Sequence, residues 1–359
     1  MKKTLSFGRS MISEERPCYV IAEIGHNHQG NIDTAFELIK AAAAMGADAV
    51  KFQKRNNRRL YTQEMYNKPY EHENSYGATY GLHRDFVEFD LQKYQRLVQC
   101  AAENNVEFMS TPFDEDSVDF LEQLDVPAYK VASGDLTNTP LLEYIAKLGK
   151  PMLISTGAST LEEIHIAYET VARYQEQICL LHCTSGYPTD YEHLNLKGIE
   201  TLRREFPEAV IGYSGHDNGI LAPVLAYMLG ASVVEKHFTL NRSWKGTDHK
   251  FSLEPAGMQK MVRDLRRVDT SLGNGVKVVQ DFEEEARKKM GKSLYAARDL
   301  PAGAVIGEDD IVAKSPGDGM PPYRLSELLG KRLRVDMRTE EPFSTESVEV
   351  GDVTGSGGA

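Results

Sequence analysis

Eight short apolar runs, each turning polar or charged at its C-terminal end, punctuate the first three quarters of the chain: residues 19–23, 47–53, 106–111, 128–133, 152–156, 178–184, 210–214 and 233–237. Helical patterns fill the intervals. Residues 33–46 carry Phe36, Leu38 and Ile39 before a closing glycine; residues 161–174 follow Thr160, with Glu163 placed to complete a capping box; a further helix opens at Thr139-Pro140. Strands alternating with helices predict right-handed βαβ units and a parallel sheet. The count of eight, with no GxGxxG after the first run, predicts a closed TIM (β/α)8 barrel of the α/β class rather than a doubly wound sheet. In such a barrel the strand ends face the active site, so the polar ends mark where the chemistry lies.

Between the second and third runs, residues 55–89 form a long connection bearing Tyr61, Tyr66, Tyr70, Tyr76, Tyr80, His83 and Arg84. Its length and place suggest a lid or specificity element over the mouth. After Gly273-Asn274-Gly275 the pattern changes. Residues 280–292 are a charged run, read as a linker or solvated helix, and the pieces from 293 to 350 are short, strand-like and broken by prolines and glycines. The expected organisation is a barrel over 1–276, a linker over 277–292, a small β-rich unit over 293–350 and a disordered tail over 351–359.

A net charge of -12 argues against binding along a nucleic-acid backbone. Lacking both a secretory pattern and any apolar stretch of 18 residues, the chain is expected in the cytoplasm, with no membrane partner. Four cysteines fit neither a metal spacing nor a disulfide framework and read as reduced, buried thiols.

In order, the strand ends present Glu23; Lys51 and Gln53; Thr111 and Phe113; Lys130 and Ser133; Ser155; Ser185 and Tyr187; Ser214 and His216; Glu235 and His237. A lysine at the end of an apolar strand is costly to bury without an anion. An internal ion pair with Glu23 or Glu235 explains either lysine alone, whereas two at one mouth, among hydroxyls, favour a bound phosphate or carboxylate. His216 and His237, on neighbouring strands, suit a borderline divalent ion such as manganese, zinc or iron. His26, His28, His182 and His249 read as core or hydrogen-bonding residues. An anion clamp, a divalent metal and a carboxylate together suit attack of a phosphorylated carbanion equivalent on a carbonyl.

The strings AEIGHNHQG (22–30), KFQ (51–53), STPF (110–113), YKVASGD (129–135), HCTSGYPT (182–189), GYSGH (212–216), EKHFTL (235–240) and DHKFSLEP (248–255) resemble the sialic acid synthase family. That family condenses phosphoenolpyruvate with an N-acylated hexosamine to give nonulosonic acids. DLPAGAVIGEDDIV (299–312), PGDG (316–319) and LLGKRL (328–333) resemble its C-terminal antifreeze-like (SAF) domain. The resemblance implies that Lys51, Gln53, Thr111, Lys130, Ser133, Ser155, Ser185 and Ser214 hold phosphoenolpyruvate, and that His216 and His237 ligate a divalent metal, usually manganese, with magnesium or cobalt as alternatives. Glu23 falls beside the reacting centre, and Tyr187, Glu235, Asp248 and Phe113 around the sugar. It further implies a domain-swapped homodimer, and phosphate leaving by C–O cleavage after water adds. Three positions depart from the family: Ser185 replaces an asparagine, Gly215 an aspartate, and Ser315 the arginine that contacts the N-acyl group. The acceptor is therefore open, with Lys314, Arg58, Arg59 and Arg84 as candidate compensations. A deoxy-ulosonate synthase acting on a phosphorylated sugar is an alternative, set back by the absence of a second Arg/Lys pair in the strand-end motifs. A non-catalytic carbohydrate-binding homologue and a metal-dependent hydrolase are the others.

Overall fold

The computed structural model describes residues 4–349. The tail expected over 351–359 lies outside the described residues, as does Val350 at the end of the small β-rich unit. Two compact units divide between Gly273 and Asn274.

The first unit begins with a hairpin, β1 (Thr4–Phe7) and β2 (Ser10–Ser13), followed by eight parallel strands: β3 (Tyr19–Gly25), β4 (Ala49–Lys54), β5 (Glu107–Pro112), β6 (Tyr129–Val131), β7 (Met152–Ser155), β8 (Ile178–Cys183), β9 (Val210–Gly215) and β10 (Val233–His237). Their order is β5-β4-β3-β10-β9-β8-β7-β6, with β5 and β6 adjacent in space but not hydrogen-bonded, so the barrel is nearly closed. Each strand starts within two residues of its predicted apolar run. Helices separate the strands as expected. The helix Ile32–Ala44 is capped by Asn31, and Leu161–Ala172 by Thr160, whose hydroxyl accepts from Glu163 N while the Glu163 carboxylate accepts from Thr160 N. Helix Thr139–Ala146 takes Asn138 as its cap, one residue ahead of the expected opening.

Side chains two apart along a strand share a face. On the inner face, Ile21, Ala49, Met109, Ala128, Leu153, Leu181 and Val233 form a lower apolar layer together with Leu5, Phe7 and Ile12 of the hairpin. No hydrophobic run in the sequence marks this hairpin. Four-residue strands joined by a tight turn at Gly8 (φ 52°) give too few alternations to stand out. The hairpin stops the barrel floor: Phe7 is fully buried, its ring 5.1 Å from that of Tyr19.

The connection over 55–89 is packed rather than featureless, with short helices Asn57–Leu60, Gln63–Asn67 and Tyr80–Phe86. His83 is buried against Tyr70 and Tyr76, and Asn74 Oδ1 accepts from Gly246 N at 3.0 Å, tying this segment to the loop after β10. All four cysteines are free and buried, as expected.

The second unit holds helix Glu284–Met290, which buries no residue, and the antiparallel pair β11 (Ser293–Ala296) and β12 (Ile311–Lys314). The charged run is thus a solvated helix along part of its length. Leu294, Leu300, Ile306, Met320, Leu333, Met337 and Phe343 make a separate small core.

Candidate active site

One step above the apolar layer, every strand changes character. Ile21 is followed on the inner face by Glu23, Ala49 by Lys51, Met109 by Thr111, Ala128 by Lys130, Leu153 by Ser155, Leu181 by Cys183, Gly212 by Ser214 and Val233 by Glu235. All fifteen residues singled out from the sequence line a single cavity of about 810 Å³ at this end of the barrel. Cys183 lines it too, as do Arg55 and Arg84.

Lys51 and Lys130 are each 3% exposed. Lys51 Nζ lies 2.6 Å from Glu23 Oε2 and 3.6 Å from Glu235 Oε1, and donates to Thr111 Oγ1 at 3.0 Å. Lys130 Nζ is 4.0 Å from Glu235 Oε1 and donates to the Val131 carbonyl. The internal ion pair and the anion clamp are therefore not exclusive: the two lysines and two glutamates form one buried cluster without a ligand. Burial pushes the Glu23 carboxyl up to about 7, against the opposing pull of Lys51. Burial also raises Glu235, but Lys130 and Lys51 outweigh it and leave that carboxyl below its ordinary value. Burial lowers Lys130 and is overcome at Lys51 by the two glutamates, which hold its ammonium above the usual lysine range. Gln53 Nε2 donates to Glu23 Oε1 at 2.6 Å and Ser214 Oγ to Glu235 Oε1 at 3.2 Å.

Across the mouth, Ser133 and Ser185 converge on Gly157. Gly157 N donates to Ser133 Oγ at 3.0 Å, and a Cβ there would fall on Ser185 Oγ and within 2.7 Å of Ser133 Oγ. Only a glycine leaves these hydroxyls room. Gly215 is required for a similar reason: a side chain would overlap the Tyr213 ring and approach Asp217 Oδ1 to 2.6 Å. Asp217, passed over in the sequence, is fully buried and accepts from the Tyr213 hydroxyl at 2.7 Å and from Lys236 Nζ at 2.9 Å. This network pins the segment that carries His216.

The His216 and His237 rings lie 5.4 Å apart, flanked by Phe251, with Tyr187 4.3 Å from His216. Burial keeps both imidazoles neutral, lowering His216 and taking His237 down to about 3. His216 Nδ1 faces the Thr184 carbonyl at 3.1 Å, which places the proton on Nδ1 and leaves the Nε2 lone pair free. His237 Nδ1 has no hydrogen-bond partner among the described residues and is 3.8 Å from Asp248 Oδ2. Two neutral imidazoles of this kind suit a borderline divalent ion. Among the described residues no set of three His, Cys, Asp or Glu side chains is placed to hold one.

The other candidates divide. His28 stacks on Phe89 at 4.3 Å, His182 bonds the Leu194 carbonyl and His249 meets Thr239 Oγ1 at 2.7 Å, all structural roles as expected. His26 is likewise in hydrogen-bond contact, though its partners are the two arginines Arg55 and Arg84. Arg58 lies over the Tyr66 ring and Arg59 pairs with Asp116, while Lys314 pairs with Glu340 in the second unit. Arg55 was legible in principle, since it continues the alternation Ala49, Lys51, Gln53 past the strand end.

Comparison with known proteins bears on the same residues. The chain is 40% identical over 339 residues to the N-acetylneuraminate-9-phosphate synthase of Mus musculus, with 94% of each covered. It is 38% identical to the N,N'-diacetyllegionaminic acid synthase of Legionella pneumophila, covering 92% of this chain and 95% of that one. The crystal structure of an N-acetylneuraminic acid synthetase from Leptospira borgpetersenii, in complex with citrate, superposes with a TM-score of 0.69 at 32% identity, covering 80% of this chain and 95% of that one. A SAF domain model matches residues 291–349 and a NeuB family model residues 38–277, and with the relatives' near full-length match they show that this chain belongs to the NeuB family.

Proposed function

We propose that the chain joins phosphoenolpyruvate to an aldose, with water, to give a nonulosonic acid and free phosphate. One observation carries this reading: two buried lysines and two buried glutamates in the layer above an apolar floor, faced by serine hydroxyls across one cavity. Names of the relatives point the same way, since they are nonulosonic acid synthases. They differ over whether the product carries a phosphate, and so leave the acceptor open.

In this reading Lys51 and Lys130 hold the negative ends of phosphoenolpyruvate, with Ser133, Ser155, Ser185 and Ser214 as further donors and Thr111 and Gln53 fixing the lysine and glutamate that face it. Glu23, with its carboxyl raised to about 7, is suited to hold or release a proton near neutrality beside the reacting carbons. Tyr187, Phe113 and Asp248 border the sugar. A manganese ion held by His216 and His237, with magnesium or cobalt as substitutes, would polarise the aldehyde oxygen when bound. Homodimerisation belongs to the same proposal and draws its support from the family alone. No helix among the described residues is long and apolar enough to cross a membrane, and four unpaired buried cysteines favour a reducing compartment such as the cytoplasm.

The test is phosphate release from phosphoenolpyruvate across a panel of aldoses, with manganese and with chelator. Release is expected only with an acceptor and a divalent ion together. Release that needs no phosphoenolpyruvate-derived carbon in the product, or none with any aldose, refutes the reading.

A further inference from the structure

Arg55 and Arg84 approach the same imidazole from opposite sides. Arg55 Nη1 lies 3.2 Å from His26 Nε2 and Arg84 Nη1 lies 3.3 Å from His26 Nδ1. A guanidinium only donates, whereas a neutral imidazole offers one lone pair and one N–H. One of the two contacts therefore sets a donor against a donor. Protonation of the ring would worsen this, and burial together with both arginines holds His26 well below the ordinary histidine value.

Arg55 is 7% exposed, lies over the Phe113 ring at 3.6 Å and gives Nη2 to Gln53 Oε1 at 2.7 Å; Arg84 bonds the Tyr80 hydroxyl through Nε and Nη2. Among the described residues neither makes an ion pair. Two acids lie near without pairing with either: Glu88 is 2.9 Å from Lys54 Nζ and 3.8 Å from His26 Nε2 and accepts from the Arg55 backbone N–H at 3.3 Å, and Asp248, 3.8 Å from His237 Nδ1, acts on Arg84 only through space. The contrast with Lys51 and Lys130, each beside a glutamate, is direct. Two guanidiniums held together, one buried and one half-buried, with no carboxylate paired to either, make a site that an added anion would join.

Position says which anion. Arg55 follows β4 and His26 follows β3, and in the eight-strand ring these stand opposite β8 and β7, whose ends carry Ser185 and Ser155. The arginines and the serines thus line opposite sides of one cavity of about 810 Å³, with His216 and His237 on strands between them. Resting on the condensation proposed above, we propose that Arg55 and Arg84 form a subsite for a dianionic phosphate on the acceptor sugar, at the terminal carbon remote from its aldehyde. His26 is a positioning residue that spaces the two guanidiniums. The pair was not visible as a strand-end motif because Arg84 comes from the helix Tyr80–Phe86, far along the connection.

The experiment compares kcat/KM for N-acetylmannosamine, its 6-phosphate and its 6-carboxylate (the uronate), in the wild type and in Arg55→Gln, Arg55→Lys and Arg84→Gln, each checked for an unchanged melting curve. The wild type is expected to prefer the 6-phosphate, and each Gln variant to shrink the phosphate-to-neutral ratio about tenfold or more, mainly through KM for the sugar, with Arg55→Lys recovering part of it. Equal use of neutral and phosphorylated sugars by the wild type, equal losses on both in the variants, or preference for the uronate overturns the proposal. If no sugar releases phosphate from phosphoenolpyruvate, the condensation itself fails. Calorimetric binding of the 6-phosphate then decides separately: weakened by Arg55→Gln, the subsite stands; unchanged, it falls.

Discussion

The inner face of the barrel contains two layers made by the same strands, two residues apart, with opposite physical purposes. The lower layer, Ile21, Ala49, Met109, Ala128, Leu153, Leu181 and Val233 with the hairpin's Leu5, Phe7 and Ile12, is apolar and closed. Each large side chain buried there contributes about 1.5–3 kcal/mol of transfer free energy. The upper layer holds Glu23, Lys51, Lys130 and Glu235, whose burial costs several kcal/mol per ion before pairing offsets it. Stability and chemistry are thus stacked along one strand direction rather than spread around the molecule. The lower layer makes the strand positions rigid, and that rigidity holds four charged groups where water would otherwise separate them.

Substitutions can break this contrast. Lys130→Met, in the upper layer, is expected to lower kcat/KM for phosphoenolpyruvate about 10³-fold while leaving the circular dichroism spectrum of the barrel intact; loss of fold instead would make the upper layer structural. Phe7→Ala, in the floor, should do the reverse. It is expected to lower unfolding free energy by about 3 kcal/mol, read from urea titration, with kcat/KM unchanged well below the transition.

Gly157→Ala sharpens the boundary between layers, because the added methyl meets Ser133 and Ser185. KM for phosphoenolpyruvate is expected to rise about tenfold with a smaller change in kcat, and an unaltered KM would mean these hydroxyls do not touch it. The smallest effect concerns pH. Glu23, raised to about 7 in the folded protein, sits above the unfolded carboxylate value of about 4.3, so its contribution to stability is present below that value and is lost as pH rises through about 7. In metal-free protein, Glu23→Gln should therefore melt like the wild type near pH 4 and a few degrees higher by pH 8. A gap that narrows with rising pH would place the proton elsewhere.

Much of this was legible along the chain. Apolar runs with polar ends predict the eight strands closely, because the period-2 rule that makes Leu153 face the core makes Ser155 face the mouth. All the residues picked from those ends line the cavity. The hairpin was illegible because its strands are too short for periodicity, although Leu5 and Phe7 do alternate. Asp217 and Lys236 were illegible for another reason: Lys236 points outward from β10, and only the fold brings Asp217 to it.

Hydrophobic alternation along this chain, with its turns and caps, was enough to establish the barrel, the direction of its strands and the end at which chemistry occurs, since each follows from neighbours within a few residues. Packing alone settled that Lys51 and Lys130 share Glu23 and Glu235, that the hairpin seals the floor, and that Arg55 meets Arg84 across His26. Those contacts join segments tens to hundreds of residues apart, and their geometry depends on barrel register and loop conformation, which no local pattern encodes.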